Sequence, residues 1–161
     1  MPSFPQRKTY ARRIRVSGSS GTETAFQMSA PQLGVRHARR LVGVGRVTRN
    51  DWPAGTVRPD EIGVSPSLPP KFPNISVPYG CLVPATTDGL LVAGRAISCD
   101  ATSYSFLREV PQCWMTGQAA GVAAAMAVGQ GVAPRDVAIG RVQNELRRQG
   151  ACVRAEAQVE A

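Results

Sequence analysis

The stretch Leu107–Val128, LREVPQCWMTGQAAGVAAAMAV, decides the fold, because it predicts a long helix with almost no side-chain volume. Pro111 suits the first turn of a helix, where its missing N–H would be unpaired in any case. Core helices usually carry large apolar residues at three- and four-residue spacing, whereas here Gly117, Gly121 and Ala125 recur every four residues. The pattern predicts a helix over residues 111–128 with a smooth stripe that another backbone or a flat ligand can approach.

The segment before this helix predicts a buried strand that ends at a glycine. Residues 90–93, LLVA, form a short apolar run typical of a strand covered on both faces, as in a parallel sheet flanked by helices. Gly94 then allows a ligand to approach the backbone, and the following helix offers free N–H groups and the positive end of its dipole. Two interpretations stay open: a site for a phosphate, a carboxylate or an anionic ring system, and plain helix–strand packing without a ligand.

The remaining sequence predicts short strands, loops and one further helix. One or two strands are expected over Val35–Thr48, a short strand around Ile62–Val64, and an extended segment over Ile75–Val83 interrupted by Pro78. A second helix is expected over residues 135–149, with Val137, Val142 and Leu146 facing the core and Gly150 as its stop. The predicted fold class is α/β, in the form of an α+β fragment with few strands and two C-terminal helices.

The charge is concentrated in the first part of the chain. The formal net charge is +8, and residues 1–50 hold ten Lys/Arg and one acidic residue, Glu23. Such a basic arm is typical of a solvated or poorly ordered tail, which we expect over residues 1–26. The alternative is a nucleic-acid-binding protein that neutralises phosphates through residues 1–50, although no RNA-binding or helix-turn-helix motif accompanies the charge.

The cysteines and the hydropathy argue against several classes of protein. Cys81, Cys99, Cys113 and Cys152 include no C-x-x-C pair, and His37 is the single histidine, so we expect no metal site and free thiols in a reducing cytoplasm. No apolar run follows the basic N-terminal residues, as a signal peptide would require. The segment 114–133 is too weakly apolar for a membrane span. A cytoplasmic protein without a membrane partner is therefore expected.

Several motifs together resemble a known family. The segments TTDGLLVAGRAIS, LREVPQCWMTGQAAGVAAAMAV and GVAPRDVAIGRVQNELRRQGA resemble the C-terminal part of bacterial FAD-dependent oxidoreductases with a GQAAG helix, in the glutathione-reductase/fumarate-reductase superfamily. Upstream, APQLGVRHARRLVGVGRVTRND and VPYGCLVP are similar to segments of the same family, so the resemblance covers roughly residues 27–151. It implies a strand-and-loop segment from the substrate or cap side over 27–84 and the last strand and C-terminal helices of an FAD-binding domain over 85–151. The basic arm over 1–26 and a tail over 152–161 lie outside it.

The resemblance also implies a set of cofactor-binding residues. Gly94 and Arg95, at the end of the last strand, would lie beside the ribityl and phosphate groups of FAD. The backbone around Pro111, Gln112 and Cys113 would face the N1/C2-carbonyl edge of the flavin, and Gly117 completes the predicted cofactor-binding set.

Three further hypotheses concern charged and reactive side chains near this site. Arg108 is the candidate catalytic residue: it either holds an anionic substrate or hydride acceptor, or pairs with Glu109 or Asp100 and fixes the loop. Arg36, Arg39 and Arg40 either line the substrate side or are ordinary arginines on an exposed strand. The thiol of Cys113, at a helix N-terminus, is expected to have a lowered pKa.

One part of the family pattern is missing. FAD proteins of this superfamily hold the pyrophosphate at a G-x-G-x-x-G turn, but the nearest match, Gly43–Thr48, has a threonine at the third glycine position. We therefore expect a fold that is incomplete without an N-terminal βαβ half, a partner that supplies this half, and weak or no FAD binding by the chain alone. A non-catalytic remnant is a further alternative.

Overall fold

The computed structural model describes residues 37, 39–66 and 73–155, which belong to one compact unit beginning at His37. The elements in chain order are α1 (Asp51–Ala54), β1 (Glu61–Ser65), β2 (Ile75–Pro78), α2 (Tyr104–Leu107), α3 (Val110–Gln130) and α4 (Ile139–Arg148). Short 3-10 turns lie at Tyr79–Cys81, Gly94–Ala96 and Pro134–Asp136. The mixed α/β class is confirmed. The predicted basic arm over 1–26 and Arg36 lie outside the described residues.

Helix α3 confirms the helix predicted over residues 111–128. It has a proline in its first turn and ends at Gly131, whose left-handed φ of 67° is typical of a helix C-terminus. The helix packs against β1, α4 and the Gly94–Ala96 turn. Its buried face consists of Gln112, Thr116, Ala119, Ala123 and Ala127. Because these side chains are small or unbranched, β1 and the turn approach the helix closely.

The stripe of Gly117, Gly121 and Ala125 lies on the other side of α3. All three residues are exposed, and a Cβ added at either glycine would meet no atom of the described residues within 4 Å. No backbone of the described residues therefore makes the close approach that this stripe allows at its two glycines. The helix carries two sets of small residues. The set that faces the core is the one that includes Thr116 and Gln112, whose hydrogen bonds cannot be recognised from spacing alone.

The sheet among the described residues has two antiparallel strands. In β1 and β2, Gly63 lies opposite Val77, Val64 opposite Ser76 and Ser65 opposite Ile75, with an irregularity between Glu61 and Gly63. The strand predicted around Ile62–Val64 is thus confirmed. The extended segment predicted over Ile75–Val83 is a strand only as far as Pro78, after which the chain turns.

Two other strand predictions are wrong in the described residues. Residues 90–93 form no strand, although the Val92 N–H donates a hydrogen bond of 2.9 Å to the Leu82 carbonyl. Leu90 is 48% exposed, so the run is not covered on both faces. Within Val35–Thr48, residues 39–48 make only isolated bridges, Gly43 to Pro84 and Val47 to Cys99. In both places the residues favour a strand. Residues 41–47 do bond to the backbone of residues 80–85 and 96–100, but these bonds are scattered and form no continuous ladder.

Helix α4 confirms the second predicted helix, in a shorter form. The segment predicted over 135–149 divides into the turn Pro134–Asp136 and α4. Val137, Val142 and Leu146 are buried as predicted. Gly150 follows the helix with a left-handed φ of 85°. No helix in the described ranges is both long and apolar enough to cross a membrane.

Candidate functional site

Gly94 and the first turns of α3 form a single contact. Gly94 has a φ of 67°, which favours glycine over other residues. Its N–H donates a hydrogen bond of 3.0 Å to the hydroxyl oxygen of Thr116. A Cβ placed at Gly94 would lie 3.8 Å from the Cys113 Sγ. The structure thus brings together two of the predicted cofactor residues, Gly94 and Cys113, at the N-terminal end of α3.

Thr116 holds this contact in place, and sequence reasoning missed it. The residue is completely buried, and its hydroxyl donates to the backbone carbonyl of Gln112 at 2.8 Å while accepting from Gly94. A threonine hydroxyl that bonds back into its own helix still has a lone pair for a neighbouring N–H. The available signal was a single hydroxyl side chain in a helix made of alanine and glycine.

The N-terminus of α3 is not capped by a side chain. Glu109 at the N-cap makes no side-chain capping bond, and the first turn contains no acidic residue. The N–H of Cys113 bonds the Glu109 carbonyl at 3.0 Å, which leaves the earlier N–H groups of the helix without a backbone acceptor. Pro111 is exposed, and Val110 is 56% exposed. The positive end of the helix dipole is therefore open to a ligand that carries negative charge.

Cys113 is a less reactive thiol than predicted. Partial burial raises its pKa, the carboxylate of Glu109 adds to the rise, and the nearby Arg95 cation opposes it. The Sγ also lies 3.6 Å from the Arg108 carbonyl, as a weak donor, which favours the protonated form. The prediction of a lowered pKa for Cys113 is therefore wrong, because burial outweighs the cation.

Arg108 is paired with its neighbour. One guanidinium nitrogen lies 3.5 Å from a carboxylate oxygen of Glu109. Asp100, the other predicted partner, instead accepts hydrogen bonds from the N–H groups of Ser103 at 2.6 Å and Arg49 at 2.8 Å. The Arg108 side chain is 24% exposed, so a ligand at the tip of α3 can reach it.

Gln112 is a buried amide with one unsatisfied atom. Its Nε2 donates to the Ser65 hydroxyl at 3.2 Å, while its Oε1 is buried without a hydrogen-bond partner among the described residues. An unpaired buried acceptor costs about 1–3 kcal/mol. A donor group brought to this end of α3 would relieve that cost.

One comparison with known proteins identifies the family of this chain. The family model described as FAD dependent oxidoreductase matches residues 6–146. The chain belongs to the FAD-dependent oxidoreductase family. The match starts upstream of residue 27, where the resemblance by motif begins, so it includes most of the basic arm. No match was found among curated proteins or among solved structures.

The family implies FAD, and the residues at the tip of α3 fit part of it. The uncapped N-terminus offers N–H donors, Gly94 leaves space that a side chain would fill, and Arg95 supplies a cation. Membership does not bring the usual dinucleotide fingerprint, however. Residues 43–48 form no strand–turn–helix unit; Gly43 and Gly45 pack directly against the backbone of Gly80.

Other predicted site residues lie apart from the tip of α3. Gly117 is on the exposed side of the helix, and Arg39 and Arg40 line a separate cavity. The four cysteines are free thiols, as predicted. Among the described residues, no group of three or more His, Cys, Asp or Glu side chains is placed to hold a metal ion.

Proposed function

We propose that this chain supplies part of the flavin site of an FAD-dependent oxidoreductase of the GQAAG-helix type in the glutathione-reductase/fumarate-reductase superfamily. The observation that carries the proposal is the uncapped N-terminus of α3 beside Gly94. FAD, when bound, supplies the hydride or electron transfer, and the protein supplies orientation and electrostatics. Family membership supports the same conclusion.

Each residue at the tip of α3 has a separate role in this proposal. When FAD is bound, the positive end of the α3 dipole and the N–H of Gln112 would stabilise negative charge on the flavin, which would favour its reduced form by about 0.3–1 kcal/mol, or ~2 kcal/mol when partly buried. Gly94 leaves room for the ribityl chain, and the Arg95 cation attracts the phosphates. Arg108 holds an anionic substrate or hydride acceptor. Its exposed pair with Glu109 at 3.5 Å is weak enough to be exchanged.

We further propose that the chain works with a partner that carries the G-x-G-x-x-G half of the flavin domain. One face of α3 supports this, since it is apolar, uncharged and uncovered by the described residues. Along it Val110 is 56%, Trp114 73% and Val128 84% exposed, and Gly117 and Gly121 lie between them. A large exposed apolar patch of this kind marks an interaction surface. We also propose a cytoplasmic location, which the free thiols support. The substrate is proposed to be a small molecule, which the family supports.

The proposal is tested by reconstitution. The full chain is co-expressed with a candidate partner that carries the G-x-G-x-x-G half of a flavin domain, and the purified complex is assayed for flavin absorbance and for bleaching by a reductant. We expect a coloured complex, and weak or no FAD binding by the chain alone. A stable complex that carries no flavin would contradict the assignment.

A matched pair of glycine variants tests the position of the flavin. Gly94→Ala and Gly89→Ala introduce the same backbone strain, since the φ angles are 67° and 68°. A Cβ at Gly89 meets no described atom within 4 Å, whereas one at Gly94 faces Cys113. We expect Gly94→Ala to weaken FAD retention about tenfold, which corresponds to about 1.4 kcal/mol, and Gly89→Ala to leave it unchanged. Equal effects of the two substitutions would place the flavin elsewhere.

A further inference from the structure

A second cavity, away from the tip of α3, is lined by arginines. Its volume is about 390 Å³, within the range of small-molecule sites. The lining consists of the cations Arg39, Arg40 and Arg46, the backbone segment between them, and Ser98 and Cys99 from the loop before α2. None of these residues takes part in the proposed flavin site.

The walls of this arginine cavity are fixed by backbone hydrogen bonds. The Leu41 N–H donates to the Ala96 carbonyl at 2.8 Å, and the Val47 N–H donates to the Ser98 carbonyl at 3.3 Å. Gly43 lies so close to the loop that carries Ser98 that a Cβ added to Gly43 would be 2.8 Å from the Ser98 Cβ. The backbones that carry the arginines are therefore held in place before any ligand arrives.

The cations of the arginine cavity have no acidic partner. Within the described ranges, Arg39, Arg40 and Arg46 form none of the ion pairs. The nearest acid, Asp100, is held by the N–H groups of Ser103 and Arg49. Although burial opposes its ionisation, these bonds and the field of Arg46 lower the pKa of Asp100, so it stays a single negative charge beside three positive ones.

Arg40 is held in position by aromatic groups. Its guanidinium lies 5.4 Å from the centre of the Tyr104 ring and bonds the His37 ring nitrogen. An arginine stacked in this way loses less freedom when it binds an anion. Burial raises the pKa of the Cys99 thiol to about 11, so the cavity contains a neutral thiol and offers binding without a nucleophile.

We propose that the arginine cavity binds the anionic group of a small molecule, a carboxylate or a phosphate. Guanidinium groups match both anions by paired hydrogen bonds, and the Ser98 hydroxyl, in a residue only 3% exposed, adds a neutral polar group to the lining. Arg39 and Arg46 are exposed and Arg40 is half-buried, so the guanidinium groups can be reached from solvent, and the one carboxylate beside them, Asp100, leaves a net positive charge that favours an anion over a neutral ligand.

The test is a titration of the full chain followed by two-dimensional NMR of its backbone amides. Inorganic phosphate and malonate are added separately, with chloride exchanged to keep the ionic strength constant. We expect saturable changes in the amide chemical shifts of Leu41, Val42, Gly43 and Ser98 with at least one of the two anions. The anion that binds more tightly shows whether the cavity prefers a phosphate or a carboxylate. Shifts that only follow ionic strength, or that are spread over the surface, would overturn the proposal.

Variants connect the binding to the guanidinium groups. Arg40→Gln and Arg46→Gln are each expected to weaken binding about three- to tenfold, the range for a typical hydrogen bond. Arg46→Lys keeps the charge and should retain most of the phosphate affinity. The control is Arg141→Gln, an exposed arginine of α4, which should change nothing. Unchanged affinity in both cavity variants would reject the site, whatever the outcome of the flavin reconstitution, because the readout contains no flavin.

Discussion

Glu61 is a completely buried carboxylate whose partners come from far along the chain. One carboxylate oxygen lies 2.8 Å from the Arg154 guanidinium, and the other accepts the Arg154 backbone N–H at 2.5 Å. The carbonyl of Glu61 accepts a bond from the buried Gln143 amide at 3.0 Å. A charge removed from water in this way is tolerated only because it is paired and hydrogen-bonded.

Removal of the Arg154 cation should destabilise the fold strongly. Arg154→Met leaves the Glu61 carboxylate buried without its counter-ion, and we expect the free energy of unfolding to fall by about 3 kcal/mol, at the low end for buried pairs because Arg154 is 29% exposed. Urea denaturation monitored by circular dichroism measures the change. Arg148→Met, which breaks the exposed pair with Glu145, serves as the control and should have little effect. If both substitutions cost the same, the buried pair is not the cause.

At the scale of the element, α3 is defined by which of its small residues face inward. Ala119 and Ala123 are completely buried against β1 and α4, while Ala124 is exposed one position further on. The two faces therefore have opposite tolerance for volume, although the sequence around them is nearly uniform.

A leucine placed on each face should show this difference. Ala123→Leu adds three carbons to a contact with no free space, and overpacking of this kind costs about 1–3 kcal/mol. Ala124→Leu adds the same atoms on the exposed face and should change the stability little. Thermal unfolding of the two variants gives the comparison. Equal loss in both would mean that helix propensity, and not packing, sets the effect.

The two long helices could be predicted from sequence, while the one-turn helices α1 and α2 and most of the strand pairing could not. Helix α3 is specified locally, by Pro111 at its start and Gly131 after its end, and the spacing in α4 identifies Val142 and Leu146 as core. A strand depends on a neighbour, so the run at 90–93 and the alternation at 39–48 favour extension without forming a ladder. At the site, the sequence identified Gly94 and Cys113 but not Thr116, because their contact depends on how the turn meets the helix.

At the scale of the whole molecule, two buried thiols and one buried phenol remain protonated far above neutral pH. Burial raises the pKa of Cys81 from 9.0 to about 12, with the neighbouring Asp60 adding to the rise. It also raises the pKa of Cys99 from 9.0 to about 11 and that of Tyr79 from 10.0 to about 12. The folded chain therefore binds protons that the unfolded chain releases.

The stability of the protein should consequently fall in alkali. The contribution of the two thiols is fully present below pH 9.0, the unfolded value, and is lost as the pH rises towards about 11 or 12. Each thiol contributes a slope of about 1.4 kcal/mol per pH unit within that window. Urea midpoints measured at about pH 8 and about pH 10 give the slope. In the double variant Cys81→Ala/Cys99→Ala the slope of stability against pH should become flatter, even though the fold is less stable at every pH. The control Cys152→Ser, at an exposed thiol, should leave this slope unchanged. A slope that survives in the double variant would contradict the assignment.

The contact between Glu61 and Arg154 also sets an order of events during synthesis. The two residues are 93 positions apart, and a ribosome adding about 5–20 residues per second needs roughly 5–20 s to pass from one to the other. Throughout that interval the carboxylate of the nascent chain has no guanidinium to meet and must remain hydrated. The hairpin of β1 and β2 therefore cannot complete its contacts until Arg154 has been synthesised. A chaperone that acts on this protein can bind the incomplete hairpin during that interval.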